Sequence, residues 1–238
     1  MCRTTAWVTL TYVTVTYASS SKEATVEELL PKPRLRGWFH LGMAPFVQLA
    51  GLILIVAAPA LIARIGIAIY LVGATLLFAT SAIYHRGTWS PRMGGFLRRL
   101  DHANIFIFIA GTYTPLALLL LDAGHATVLL TLIWAIAAFG IAFKLGWMGA
   151  PRWLYTGLYI AMGWVAVGWL IPFWNAGGPV IVALIVLGGL IYSAGAVVYA
   201  LKKPDPAPAW FGYHEVFHVA TVVAALCHFA AIALVVLR

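Results

Sequence analysis

The feature that most restricts this chain is a series of seven apolar stretches of about twenty residues each, at 41–63, 66–86, 101–121, 126–145, 152–172, 179–201 and 213–237. At 1.5 Å of rise per residue, about twenty helical residues cross a hydrocarbon layer of about 30 Å. No water inside that layer satisfies backbone N–H and C=O groups, so each crossing segment must hydrogen-bond within itself and become a helix. Nothing in the chain alternates polar and apolar residues at period two, which argues against a membrane β-barrel. Composition agrees, with 63% hydrophobic and 9% charged residues against roughly 45–50% and 25% in soluble domains. The expected fold is an all-α integral membrane protein, a seven-transmembrane helix bundle. Its first two spans are almost fused: only Ala63-Arg64-Ile65 separates them, with Pro59 as the breaker.

Charge orients the bundle. Lys32, Arg34 and Arg36 precede the first span, and Arg86, Arg92, Arg98 and Arg99 lie between the second and third. Lys144 and Arg152 flank the fourth connection, and Lys202 and Lys203 the sixth. The opposite side holds Arg64 and Arg238. The positive-inside rule then puts the N-terminus in the cytoplasm and the C-terminus outside, as in a multi-pass protein of the cell membrane. The net charge of +8 restates this asymmetry. It points to anionic lipid headgroups at the cytoplasmic face and gives no reason to invoke nucleic acid.

Residues 1–37 differ in composition from the membrane domain at 38–238. Thr and Ser dominate as far as Ser21, followed by a short acidic stretch to Glu28. Met1 to Tyr17 lacks a continuous apolar core with a small-residue cleavage site close behind, so no signal peptide is expected. A flexible cytoplasmic tail is, with Leu29 to Gly37 lying along the membrane surface. Cys2 in this tail and Cys227 near the middle of the last span cannot meet, so no disulfide is expected.

Ionisable residues inside spans are expensive and mark function. His40, at the first membrane boundary, and His125, beside Asp122 in an outside turn, read as interfacial residues. His228, about 15 Å deeper than His218 and about 80° around the same helix, reads as a hydrogen-bonding partner for a neighbouring helix. The other histidines gather at one depth. His85 ends the second span, Asp101 and His102 begin the third, and His214 and His218 begin the seventh; in the orientation above, all are cytoplasmic ends. Ser81 lies one turn deeper than His85 on the same face.

His214-Glu215-Val216-Phe217-His218 is H-E-x-x-H, a zinc-protease pattern. Imidazoles four apart on a helix reach one ion, and neutral imidazole suits zinc. A zinc protease takes its third ligand from downstream, but no acidic residue follows Glu215, and Thr221 and Ala224 stand where the longer pattern needs glycine and histidine. The third ligand must come from upstream: His85 is the better candidate by depth and type, Asp101 the second. Asp101 has two readings, a cap on the third helix or a group bonded to the metal's water or to a ligand. Glu215 is either a base or a headgroup-level carboxylate favoured by the helix N-terminus, and His102 packs between helices.

Ser81-Ala82-Ile83-Tyr84-His85, then Leu100-Asp101-His102-Ala103-Asn104, then Ala110-Gly111-Thr112-Tyr113-Thr114-Pro115, and finally His214 to His218 together resemble the bacterial haemolysin III family. That family stands with the progestin and adiponectin receptors (PAQR proteins) and, more loosely, the alkaline ceramidases. The resemblance covers about residues 36 to 238 and leaves the N-terminal tail unmatched. It implies seven helices and a zinc site near the cytoplasmic face, with His85, His214 and His218 as ligands. Asp101 would contact the zinc's water and Ser81 would be the nearby hydroxyl. The family admits other polar residues at the position of Glu215, while Gly111, Tyr113 and Pro115 would be structural, serving close helix contact and a kink.

These implications suggest a lipid amide or ester hydrolase, ceramidase-like, in which zinc-activated water attacks a carbonyl, Asp101 takes the proton, and Ser81 helps polarise the oxygen. The substrate would enter sideways from the bilayer. Three other classes remain open: a receptor-like or membrane-homeostasis protein with structural zinc, a pore-forming cytolysin, and an intramembrane zinc protease.

Overall fold

The computed structural model describes residues 32–147 and 149–238; the expected tail over residues 1–31, Cys2 included, lies outside them. Among the described residues, seven helical segments are long and apolar enough to cross a membrane. They are α1 (Trp38–Ala57), α2 (Leu61–Arg86), α3 (Pro91–Leu120), α4 (Ala123–Gly146), a fifth span in three pieces, α7 (Pro179–Leu201) and α8 (Tyr213–Val236). The fifth span consists of α5 (Arg152–Gly163), a 3₁₀ turn (Trp164–Trp169) and α6 (Leu170–Gly177). α3 is the central helix: 67% of its apolar span is buried, against 50% for α2 and 22–33% for the other five. It packs along α2 and α4, while α1 lies on α2 and α8 on α7. Leu49, Leu52, Ile53, Val56 and Ile171 are among the exposed apolar side chains on outward faces, which suits a lipid solvent.

Two boundaries differ from those expected. The break between the first two spans falls at residues 58–60, directly around Pro59, and not at Ala63-Arg64-Ile65. Arg64 is therefore helical, and its Nε reaches back 2.8 Å to the Ala58 carbonyl oxygen, satisfying an orphan acceptor at the end of α1. The third helix starts ten residues before Asp101. Ser90 caps it, its side chain accepting from the Met93 N–H at 3.4 Å, and Pro91 opens it, a strong start signal. Asp101 lies well inside α3, so its role as a helix cap is excluded.

Close contacts fix the helix spacing around the site. Gly37 precedes α1 with φ of 81°, a left-handed conformation that glycine adopts without strain; a Cβ there would stand 2.9 Å from His85 Cβ. Gly66 of α2 lies against Pro115, where a Cβ would come 2.9 Å from Pro115 Cα. Gly111 is less tight, its would-be Cβ 3.3 Å from the Ile69 carbonyl oxygen. Asn104 of α3 donates to the Leu76 carbonyl oxygen at 2.8 Å and to Thr80 Oγ1 at 3.1 Å, locking α3 to α2. On the far side, Asp122 caps α4 by accepting from the Gly124 and His125 N–H groups. His125, on the exposed surface as expected, bonds the Asp122 side chain and holds that carboxyl below its ordinary range.

Candidate metal centre

The end of α2, the third turn of α3 and the start of α8 meet at one end of the bundle. α8 begins there because two acceptors serve its free N–H groups: Asp205 Oδ1 takes the Tyr213 N–H at 2.8 Å and Glu215 Oε2 the Gly212 N–H at 2.9 Å. The first two turns of α8 then carry His214 and His218 on the face toward α2. One ring nitrogen from each of His85, His214 and His218 forms a group in which all lie within 4.8 Å of one another. Nε2 of His85 and Nε2 of His214 are 3.2 Å apart. Three convergent imidazoles are a donor set for a borderline cation such as zinc, with room for a fourth ligand from solvent or substrate. His218 Nδ1 is buried without a partner among the described residues.

Asp101 stands beside this group and outside it. Its Oδ2 is 3.7 Å from His85 Nε2 and 4.0 Å from His102 Nδ1, and it accepts a hydrogen bond from Ser81, which is buried one turn below His85. The five residues expected to build the site, Ser81, His85, Asp101, His214 and His218, are thus neighbours. His102 packs between helices as expected: Nδ1 is 2.8 Å from the Arg98 carbonyl oxygen, and its ring meets Tyr155 edge-on at 5.7 Å.

Two residues differ from their expected settings. Glu215 serves the helix N-terminus, as one of its readings held, but it is not a surface carboxylate. It is fully buried, ion-paired with Arg36 from the segment before α1, and points away from a role as base. His40, in the first turn of α1, is not exposed at the boundary either. It is 2% exposed, lies edge-on to Phe78, and stacks on the His218 ring at 3.9 Å with planes 6° apart. Neither of its ring nitrogens has a partner among the described residues. The depth argument that collected the other histidines placed His40 at the same end of the bundle; which face of α1 meets α8 is visible only in the packing.

A chamber runs behind the cluster. His40, Ser81, Asp101, His214 and His218 line one end; Phe173, Val186 and His228 belong to its deeper wall. From His214 to His228 along α8 is about 20 Å, longer than one leaflet's share of a ~30 Å hydrocarbon layer. Its walls are mainly apolar. As expected, His228 engages a neighbouring helix, through Nε2 at 3.1 Å from the Ile185 carbonyl oxygen.

Several known proteins are similar to this chain. The protein named Hemolysin-3 homolog of Bacillus subtilis (strain 168) is 33% identical over 135 residues, 57% of this chain and 63% of that protein. Hemolysin-3 of Bacillus cereus is 32% identical over 141 residues, 59% of this chain and 64% of the relative. The matched region therefore spans just under two thirds of each Bacillus protein. The rice protein named Heptahelical transmembrane protein ADIPOR2 (Oryza sativa subsp. japonica) is 30% identical over 183 residues, 69% of this chain and 79% of its own length. With seven membrane-spanning helices, histidines converging from the second and seventh, and a match over residues 29–229 to the family described as Haemolysin-III related, this multi-pass membrane protein belongs to the haemolysin III family.

Proposed function

We propose that this protein is a zinc-dependent lipid hydrolase of the bilayer, cleaving the amide or ester bond of an acyl lipid. The observation that carries this reading is the juxtaposition of three convergent imidazoles and a carboxylate with one end of a deep, mainly apolar chamber. His85, His214 and His218 would hold the ion. Bound there, zinc supplies Lewis acidity and the means to make water nucleophilic near neutral pH. Asp101, within 4 Å of His85 but outside the ligand group, accepts the proton from the attacking water and returns it to the leaving nitrogen or oxygen. Ser81 donates its one hydroxyl proton to the Asp101 carboxylate and, once Asp101 has taken up the water's proton, would turn that donor to the carbonyl oxygen as charge grows there. The chamber holds the acyl chain and excludes bulk water from the reacting bond.

The protein purified with its native metal tests this. Wild type should carry about one zinc per chain, His214→Ala should carry none, and Asp101→Asn should keep its zinc while losing cleavage of a fluorescent ceramide. Zinc retained in full by His214→Ala would overturn the ligand assignment. A second reading, zinc as a tie between α2 and α8 without chemistry, draws on the ligands' position at two helix ends. It predicts that metal removal lowers Tm while no lipid is cleaved by any form. The relatives' name, haemolysin, motivates a further comparison: conductance of liposomes carrying the purified protein, expected to match empty liposomes.

A further inference from the structure

The chamber has a second polar place far from the histidine cluster. His228 of α8 and Tyr192 of α7 both line it, with ring centroids 5.6 Å apart. The imidazole fits between the two helices because residue 188 is glycine; a Cβ there would run into the His228 ring. His228 Nε2 donates to the Ile185 carbonyl oxygen at 3.1 Å, which fixes the tautomer of the neutral ring and leaves Nδ1 as an acceptor. That Nδ1 is buried with no partner among the described residues, and so is the Tyr192 hydroxyl. A buried donor and a buried acceptor therefore belong to neighbouring rings of the chamber lining, and neither has a partner among the described residues. Tyr70 of α2, whose buried hydroxyl is also unpartnered, is an electrostatic neighbour of Tyr192.

Buried donors and acceptors are costly to leave unpaired, and in hydrocarbon no solvent makes up the loss. A single group that serves both accepts from Tyr192 and donates to His228, and an alcohol can do both. We infer that Tyr192 and His228 form a hydroxyl-binding site inside the chamber, taking the in-chain hydroxyl of a hydroxylated acyl ligand. His228 is ten residues beyond His218, about 15 Å along the helix axis. With C–C bonds of about 1.5 Å, an extended chain advances roughly 1.25 Å per carbon, so the hydroxyl sits about twelve carbons from a polar end held at the cluster. The walls between, Phe108, Ile109 and Val186 among them, suit plain hydrocarbon. The inference rests on the chamber holding an acyl chain, as proposed above, and needs neither the metal nor hydrolysis.

Equilibrium binding of stearate and 12-hydroxystearate to the purified full chain tests it, beside Tyr192→Phe, which removes one unpaired hydroxyl and should leave the fold unchanged. Wild type should bind 12-hydroxystearate about five- to tenfold more tightly than stearate, the scale of one added hydrogen-bonded hydroxyl. Tyr192→Phe should bind both acids alike, with its stearate affinity unaltered. Equal binding by wild type, the result for a place that holds only a water molecule, overturns the inference, as does a preference that survives Tyr192→Phe. If wild type binds neither acid, the acyl chamber itself falls and this site with it.

Discussion

The ring centroids of His40 and His218 lie 3.9 Å apart with their planes 6° from parallel, and Phe78 meets His40 edge-on. A ligating imidazole needs its ring held in one orientation, and groups that hold it are commonly worth 10–100-fold in metal affinity. In the proposed zinc site, His40 would serve His218 in this way through its face. His40→Ala should therefore weaken zinc affinity about tenfold in a chelator competition, while His40→Phe, which keeps an aromatic face, should stay within about threefold of wild type. Equal loss in both variants would show that the ring nitrogens matter and the stack does not. The buried Arg36–Glu215 pair acts on the same helix start. Removing one partner of a buried pair leaves a charge uncompensated, which costs about 3–5 kcal/mol. Arg36 keeps 18% of its side chain exposed, so Glu215→Gln should cost nearer 2–3 kcal/mol, read as a fall in Tm. Adding Arg36→Met should recover part of it, a coupling that independent sites would not give.

The fifth span illustrates why one element resisted reading from its residues. Trp164–Trp169 is apolar and contains no proline, so hydropathy sees an uninterrupted crossing, yet it winds as a 3₁₀ turn between α5 and α6. The cause is tertiary. The Tyr113 hydroxyl of α3 donates to the Gly163 carbonyl oxygen at 2.6 Å and accepts from the Ala166 N–H at 2.8 Å, serving backbone groups at the break. Tyr113→Phe strands both in an apolar interior and should lower stability by about 1–3 kcal/mol, measured as a shift of Tm in detergent. The α2–α3 contact is governed by volume instead. Gly66→Ala would push a methyl against Pro115 Cα, where backbone must move, and overpacking of this kind costs about 1–3 kcal/mol. Asp101 failed as a cap for a related reason. Hydropathy registers transfer into lipid, and the polar first turns of α3 are helical because Ser90 and Pro91 start them, a local signal that apolar counting passes over. The number of spans and the depth of the site residues were legible because bilayer thickness imposes them. Which faces meet was not, since seven apolar helices offer many equivalent stripes.

At the scale of the whole molecule, charge and site share an end. The starts of α1, α3, α5 and α8 and the ends of α2, α4 and α7 are brought together there. Their contacts join Gly37 to His85, Asp101 to His85, Lys144 to the Tyr155 ring and Arg152 to Tyr199. Arg34, Arg36, Arg86, Arg98, Lys144, Arg152 and Lys202 belong to the same end. The two basic residues of the other end, Arg64 and Arg238, each satisfy a helix C-terminal carbonyl, of Ala58 at 2.8 Å and Gly177 at 2.6 Å. Such cations complement a helix dipole, and the larger number of basic residues stands at the crowded end. Since Lys and Arg near short loops are retained in the cytoplasm, the histidine cluster should face the cytoplasm and the chain should end outside. A periplasmic phosphatase joined after Arg238 should be active in a bacterial host, and the same reporter joined after Lys202 should be inactive. The opposite pattern would reverse the bundle, put the cluster on the outer face, and require a substrate that reaches it from there.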